Sequence, residues 1–219
     1  MSWEADKQRG KMEFSEITTS LYHSIENEVN MSIAQDYLTI SWRFWLFWML
    51  AFIAFPLGGL LANVLVGPIT TTVQAALAGA ITGVVLGLIQ WLVLKGPMQQ
   101  VSIVGWSLAT SAGMAIGLGL SVGLLGSETD GNNLFWRAAI TGLSVGIAQW
   151  ILLRNILPQS VIWIAVITLG WVVGWFITRS AGIDLTLKWS VFGASGAVTF
   201  QFLTGLALYF LIRLSHGMK

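Results

Sequence analysis

The chain contains no cysteine, which removes a disulfide framework, a thiol nucleophile and a thiolate metal site, and leaves its redox compartment unread. Charge is scarce as well: 10% of the 219 residues are Asp, Glu, Lys or Arg, against 55% hydrophobic. With a mean hydropathy of +0.75, this is far from the balance of a water-soluble domain. The few acids are unevenly placed. Seven of the ten (Glu4, Asp6, Glu13, Glu16, Glu26, Glu28, Asp36) precede residue 41, and none occurs from Ser41 to Ser127. The net charge of +1 therefore hides a polar tail and a nearly uncharged body. No ionisable residue is expected in the interior of an apolar segment, where proton- and ion-coupled carriers place their relays. A metal-spaced His cluster, a phosphate loop and a nucleophile elbow are also missing. Catalytic residues, a metal site and a nucleic-acid partner are accordingly not expected, and the protein reads as no enzyme.

What is present falls into two parts, a polar N-terminal tail (1–40) and an apolar body (41–219). The tail lacks the basic start and short apolar core of a cleaved leader, so it is expected to stay in the mature protein. Within it Phe14, Ile17, Leu21, Ile25 and Val29 fall on one helical face, with Glu13, Glu16, Glu26 and Glu28 elsewhere, the pattern of a short amphipathic helix. An acidic polar face suits docking on protein better than on anionic lipid. That stripe is the candidate partner contact, toward another protein or a second copy of the chain. His23 lies in this helix without partner spacing for a metal.

The body holds six apolar segments: Phe44–Val66, Val73–Leu94, Val101–Leu125, Leu134–Leu153, Val161–Thr178 and Trp189–Ile212. About 20 apolar residues in a helix cross the roughly 30 Å of bilayer hydrocarbon, and turn signals such as Gly67-Pro68 and Gly96-Pro97 separate the segments. Pro56, inside the first, is expected to free a backbone carbonyl there.

The segments repeat. Ala80, Thr82, Gly83, Gly87, Gln90, Trp91, Leu94 and Lys95 return 59 positions later as Ala139, Thr141, Gly142, Gly146, Gln149, Trp150, Leu153 and Arg154. A third, worn copy carries Gly205, Tyr209 and Arg213, with Leu208 in place of the Gln and Gln201 in place of the first Gly. The intervening helices recur too, through Trp48, Trp106 and Trp163. The expected fold is all-α and integral to the membrane: six transmembrane helices as three tandem parallel two-helix repeats (about 42–97, 100–158 and 159–214), preceded by the amphipathic helix.

Glycines four apart (Gly83 and Gly87, Gly113 and Gly117, Gly142 and Gly146, Gly170 and Gly174) are the candidate helix-packing residues. Lipid supplies no hydrophobic force between helices, so close backbone contact must. Lys and Arg near the spans set the orientation. Arg43, Lys95, Arg154, Arg213 and Lys219 on one side outnumber Arg137, Arg179 and Lys188 on the other, which places both termini in the cytoplasm. Trp42, Trp45, Trp91, Trp106, Trp150 and Trp163 are expected in the aromatic belt of that face, with Trp136 and Trp189 on the opposite one.

Gln90, Trp91, Gln149, Trp150 and Gln201 are the candidate ligand-binding residues. The two Gln-Trp pairs read as lying near the boundary of acyl chains and cytoplasmic headgroups, where either of two roles fits: Trp anchoring in the belt while Gln bonds a neighbouring helix or snorkels, or a cytoplasmic-facing cavity for a headgroup, pigment or other amphipath. Leu208 would then mark a gap in the ring, and a bound amphipath would lie nearest the two Gln-bearing units. Gln201, the deepest strong polar group, requires a partner helix, water or ligand. Any cofactor is unknown, with a bound lipid or pigment the candidates.

The alternation of Gly-x-x-x-Gly-x-x-Gln-Trp-x-x-Leu-Lys/Arg helices with Gly-containing Trp-x-x-Ala helices, over about Trp42 to Arg213, resembles largely uncharacterised polytopic membrane proteins common in cyanobacteria and some other bacteria. The third unit departs from it at Gln201 and Leu208. The resemblance implies a bacterial inner (plasma) or thylakoid membrane and carries no activity. Three hairpins also suggest the mitochondrial carriers, but the Pro-x-Asp/Glu-x-x-Lys/Arg signature is missing. The expected function is a non-enzymatic integral membrane interaction protein, an accessory or assembly subunit of a larger membrane complex. The alternative is a channel or carrier for a neutral or amphipathic solute.

Overall fold

The computed structural model describes residues 17–30, 42–127, 131–182 and 189–217, the side chains of 131–132, 189–194 and 216–217 excepted. The chain divides into two units, Met1–Thr39 and Ile40–Lys219.

In the first unit residues 17–30 form helix α1. Ile17, Leu21, Ile25 and Val29 are between 47% and 58% exposed and share one face; Phe14, the first residue of the expected stripe, lies outside the described residues. His23 Nδ1 stands 3.8 Å from Glu26. Among the described residues of the whole chain, His, Cys, Asp and Glu do not gather into a group able to hold a metal.

The second unit consists of helices: α2 (Trp42–Leu50), α3 (Ala54–Val66), α4 (Thr72–Leu94), α5 (Ile103–Leu125), α6 (Gly131–Leu153), α7 (Ile162–Ser180) and α8 (Trp189–Gly217). A 3₁₀ turn, Ala51–Ile53, joins α2 to α3. Its cause is local, since Pro56 has no N–H for the Phe52 carbonyl and its ring crowds that group. The α4 start is set by a capping box. Thr71 Oγ1 accepts from Gln74 N at 3.2 Å while Gln74 Oε1 accepts from Thr71 N at 3.1 Å. Six helical stretches of 19 to 25 residues are long and apolar enough to cross a membrane: Trp42–Val66, Thr72–Leu94, Ile103–Leu125, Asn133–Leu153, Ile162–Ser180 and Ser195–Ser215. Their outward faces carry Leu61, Leu77, Leu92, Leu108, Leu120, Ile147 and Leu169, all exposed. A surface this apolar is matched to hydrocarbon, and the protein is an integral membrane protein.

Each helix from α3 to α8 packs on the next in sequence, and α8 returns to pack on both α2 and α3. The helices thus close into a ring. Small residues form the seams. A Cβ on Gly83 would come within 2.5 Å of Ser111 Cα on α5, one on Gly113 within 2.6 Å of Val145 Cα on α6, and one on Gly142 within 2.8 Å of Thr168 Cα on α7. Gly87 meets Ser107, Gly117 meets Thr141, Gly146 meets Ile164, and Gly174 meets Gly196 in the same way. Backbones this close gain van der Waals contact that side chains would prevent.

One end of the ring is marked by three cations lying over aromatic rings one turn back along their own helices. Lys95 is 5.6 Å from the Trp91 ring, Arg154 5.8 Å from Trp150 and Arg213 5.5 Å from Tyr209. Such contacts hold the charge at the polar boundary while the ring stays on apolar surface.

Candidate functional site

Near this cationic end the middle of the ring is filled. Trp48, Trp106 and Trp163 are fully buried, and a buried indole N–H without an acceptor costs about 1–3 kcal/mol. Each has one. Trp106 Nε1 donates to Gln90 Oε1 at 3.3 Å, Trp163 Nε1 to Gln149 Oε1 at 2.9 Å, and Trp48 Nε1 to Thr204 Oγ1 at 3.0 Å. The amides continue inward, Gln149 Nε2 donating to Thr110 Oγ1 at 2.9 Å and Gln90 Nε2 to Gln201 Oε1 at 3.4 Å. Thr110 and Thr204 can accept because each hydroxyl proton goes to its own helix, to the Trp106 and Phe200 carbonyls at 2.8 Å. Trp48 and Trp163 also meet edge to face at 6.4 Å. Toward the cationic end Leu94, Met98, Leu153, Leu157 and Ile212 complete a buried apolar plug.

Gln90 and Gln149 are 1% exposed inside the ring. Two expectations change here. Trp106 and Trp163 leave the expected aromatic belt for the ring interior, because the glutamines offer the acceptors that let an indole be buried. Leu208 marks no gap; it is fully buried and α8 closes the ring, with Thr204 and Gln201 supplying polar groups from one and two turns earlier. The Gln-Trp pairs do not act as units. Gln90 and Gln149 turn inward to a tryptophan of the following helix, whereas Trp91 and Trp150 are half-buried and lie beneath Lys95 and Arg154. Gln201, fully buried, accepts from Gln90, but its Nε2 has no partner.

Beyond the plug the ring opens into a cavity of about 450 Å³. Its inner wall is aromatic. Phe55, Trp171 and Phe200 meet one another at ring distances of 5.5 Å, with Met114 and Leu118 beside them. Polar groups are interspersed in the lining: Thr82 and Thr141 near the aromatic wall, and Arg137, Thr178 and Ser127 toward the opposite end, where Pro68, Ile69, Val122 and Leu134 also line it. Arg137 is half-buried and donates through Nη2 to the Gly126 carbonyl. Room for the cavity comes from small residues, among them Gly59, Ala75, Ala78, Gly170, Gly174 and Ala197.

The candidate ligand-binding residues and the cavity therefore lie apart. Of Gln90, Trp91, Gln149, Trp150 and Gln201, none lines the cavity. The residues missed in sequence are Arg137, Thr141, Trp171, Phe55 and Phe200. Arg137 reads as a flanking charge, yet it falls within the candidate span Asn133–Leu153, and its spacing of four from Thr141 puts both on one helical face. No protein-family model, curated protein or solved structure matches the chain.

Proposed function

We propose that this chain is a non-enzymatic integral membrane interaction protein, an accessory or assembly subunit of a larger membrane complex. The observation that carries the reading is the plug. Three indoles, each hydrogen-bonded within the ring, block the middle of the ring where a channel would need a continuous polar lining. The apolar stripe of α1 supports it. Ile17, Leu21, Ile25 and Val29 require a cover, and the neighbouring glutamates favour a protein partner or a second copy over anionic lipid.

The same reading takes the body as three tandem parallel hairpins of the cyanobacterial type, in a bacterial inner or thylakoid membrane with both termini cytoplasmic. In its support, Trp48, Trp106 and Trp163 stand 58 and 57 positions apart and donate to α8, α4 and α6, each the second helix of a hairpin. The cation and ring pairs at Lys95, Arg154 and Arg213 recur in step.

The cavity favours a second reading, a carrier for an amphipathic solute. One experiment separates the two: deletion of residues 2–35, followed by purification and reconstitution. Loss of co-purifying protein or of an oligomer, with the body still folded, supports the interaction role. Unchanged assembly together with an altered solute flux in proteoliposomes replaces it with the carrier.

A further inference from the structure

We propose that the cavity holds an uncharged, largely apolar ring compound with a carbonyl oxygen, its ring among Phe55, Trp171 and Phe200 and its oxygen at Trp171 Nε1 and Thr141 Oγ1. The proposal concerns the body alone and stands apart from the accessory-subunit reading. Protein interiors are close-packed, with few voids larger than a water, so about 450 Å³ of space is a built feature. It falls within the range of small-molecule pockets, about 300–1,000 Å³. The wall has the composition that receives a ring. Phe55, Trp171 and Phe200 stand 5.5 Å apart, inclined to one another by 51° to 77°, and a further ring packs on such faces and edges at about 4.5–7 Å. Met114 borders the same space, and its thioether is a soft partner for an aromatic edge.

The oxygen is read from two donors. Thr141 lines the cavity, is 1% exposed, and its Oγ1 has no hydrogen-bond partner among the described residues. Thr110, Thr168, Thr199 and Thr204, by contrast, return their hydroxyls to the carbonyl four residues back, at 2.7 to 3.0 Å. Trp171, in the aromatic wall, keeps its Nε1 buried without an acceptor. Both groups belong to one stretch of the α6 seam. Trp171 Cδ1, the carbon bonded to Nε1, is 3.0 Å from where a Cβ on Gly142 would stand, and Gly142 directly follows Thr141. An indole N–H can only donate, whereas a carbonyl oxygen has two lone pairs and accepts from an indole and a hydroxyl at once. Rotation of Thr141 about χ1 and a tilt of the indole bring the two hydrogens to the space. Charge is the wrong complement here. Among the described residues Arg137 is the only charged side chain of the lining, and it already donates to the Gly126 carbonyl. An ionised head would give up its hydration among rings and small apolar residues.

The test uses the full chain in maltoside detergent and isothermal titration with three compounds of one ring system, menadione, 2-methylnaphthalene and 2-naphthoate, each corrected for uptake by empty micelles. The chain has no cysteine to react with the quinone. Menadione should bind saturably and at least about threefold more tightly than 2-methylnaphthalene, the difference that one or two net hydrogen bonds make. Equal affinities overturn the carbonyl contact, tightest binding of the naphthoate overturns neutrality, and no saturable binding of menadione overturns the site. Thr141→Val combined with Trp171→Phe should erase the preference for menadione over 2-methylnaphthalene, and an unchanged preference overturns the two donors. Thr141→Val alone should leave the melting temperature of the ligand-free chain unchanged or raised, since its hydroxyl has no bond to lose there; a clear fall overturns it as a free donor. Ala78→Phe, which fills the cavity from α4, should abolish binding in a chain that still elutes as a single species, and unchanged binding overturns the location. Should a variant fail to fold, the comparison of the three compounds on the native chain still decides.

Discussion

Trp163 donates its indole N–H to Gln149 across the seam between α7 and α6 at 2.9 Å, and both side chains are almost completely hidden from solvent. The bond explains why a strongly polar amide occupies a helix face that otherwise meets small and apolar groups. It also ties two features of the sequence together, the repeated Gln and the repeated Trp of the following helix, which meet again as Gln90 and Trp106.

Replacing Gln149 by Leu should therefore strand the Trp163 N–H and remove a donor from Thr110, lowering stability by about 1–3 kcal/mol. Thermal unfolding in detergent measures this. Combining Gln149→Leu with Trp163→Phe should cost less than the two changes added together, since the second removes the stranded donor. A fully additive pair would mean that the bond contributes nothing.

The glycines make graded predictions. Gly83→Ala and Gly113→Ala would push a methyl to 2.5 Å and 2.6 Å from backbone carbons of the next helix, which cannot yield without parting the seam. Each should cost about 1–3 kcal/mol or more and broaden the gel-filtration peak. Gly119→Ala, whose nearest neighbour is Ala76 Cβ at 3.3 Å, should be much milder. Gly67 differs in kind: nothing lies within 4 Å of its added Cβ, but its φ of 76° and ψ of −155° belong to a region almost reserved for glycine. Gly67→Ala should cost about 1–3 kcal/mol through strain alone.

Orientation can be read with single cysteines, because the native chain offers no background thiol. Gln99 and Ser180 are both exposed and lie in or beside connections at opposite ends of the ring. With the termini cytoplasmic, an impermeant maleimide added to intact cells should label Ser180→Cys and spare Gln99→Cys. The reverse pattern inverts the protein in its membrane.

The α1 stripe is testable without deleting the tail. Leu21→Asp with Ile25→Asp leaves the membrane body untouched and puts charge on the apolar face, where each large side chain contributes about 1.5–3 kcal/mol when covered. Co-purifying protein or self-association should be lost. Retention of both would remove α1 as the contact.

The spans were legible in the sequence because hydrocarbon thickness imposes a length and a composition that few other structures need. Val73–Leu94 against Thr72–Leu94 differs by a single residue, and the largest shift, at the end of α8, is a helix running on past the last apolar turn. The seams were legible in outline, since Gly83, Gly87, Gly113 and Gly117 can do little else in lipid. The tryptophans were not. An indole suits a headgroup boundary and an apolar interior equally once its N–H has an acceptor, and one-dimensional spacing does not show that Gln90 faces Trp106 across a seam. Nor does it reveal a cavity, which is made by what Ala78, Gly174 and Ala197 leave unfilled, or the inward turn of Arg137, which reads like any cation at a helix end.

The separations along the chain between the three indoles and their acceptors are unequal, and this bears on biogenesis. Trp106 and Trp163 find acceptors 16 and 14 residues behind them, already inserted when each new helix leaves the translocation machinery. Trp48 must wait for Thr204, 156 residues later. The nascent protein is therefore an open arc through most of its synthesis, with its first and last helices as exposed flanks. Closure must then wait for α8, and a chain arrested before it would present to the bilayer, or to quality control, the faces of α7 and of α2 and α3 that α8 covers in the finished ring.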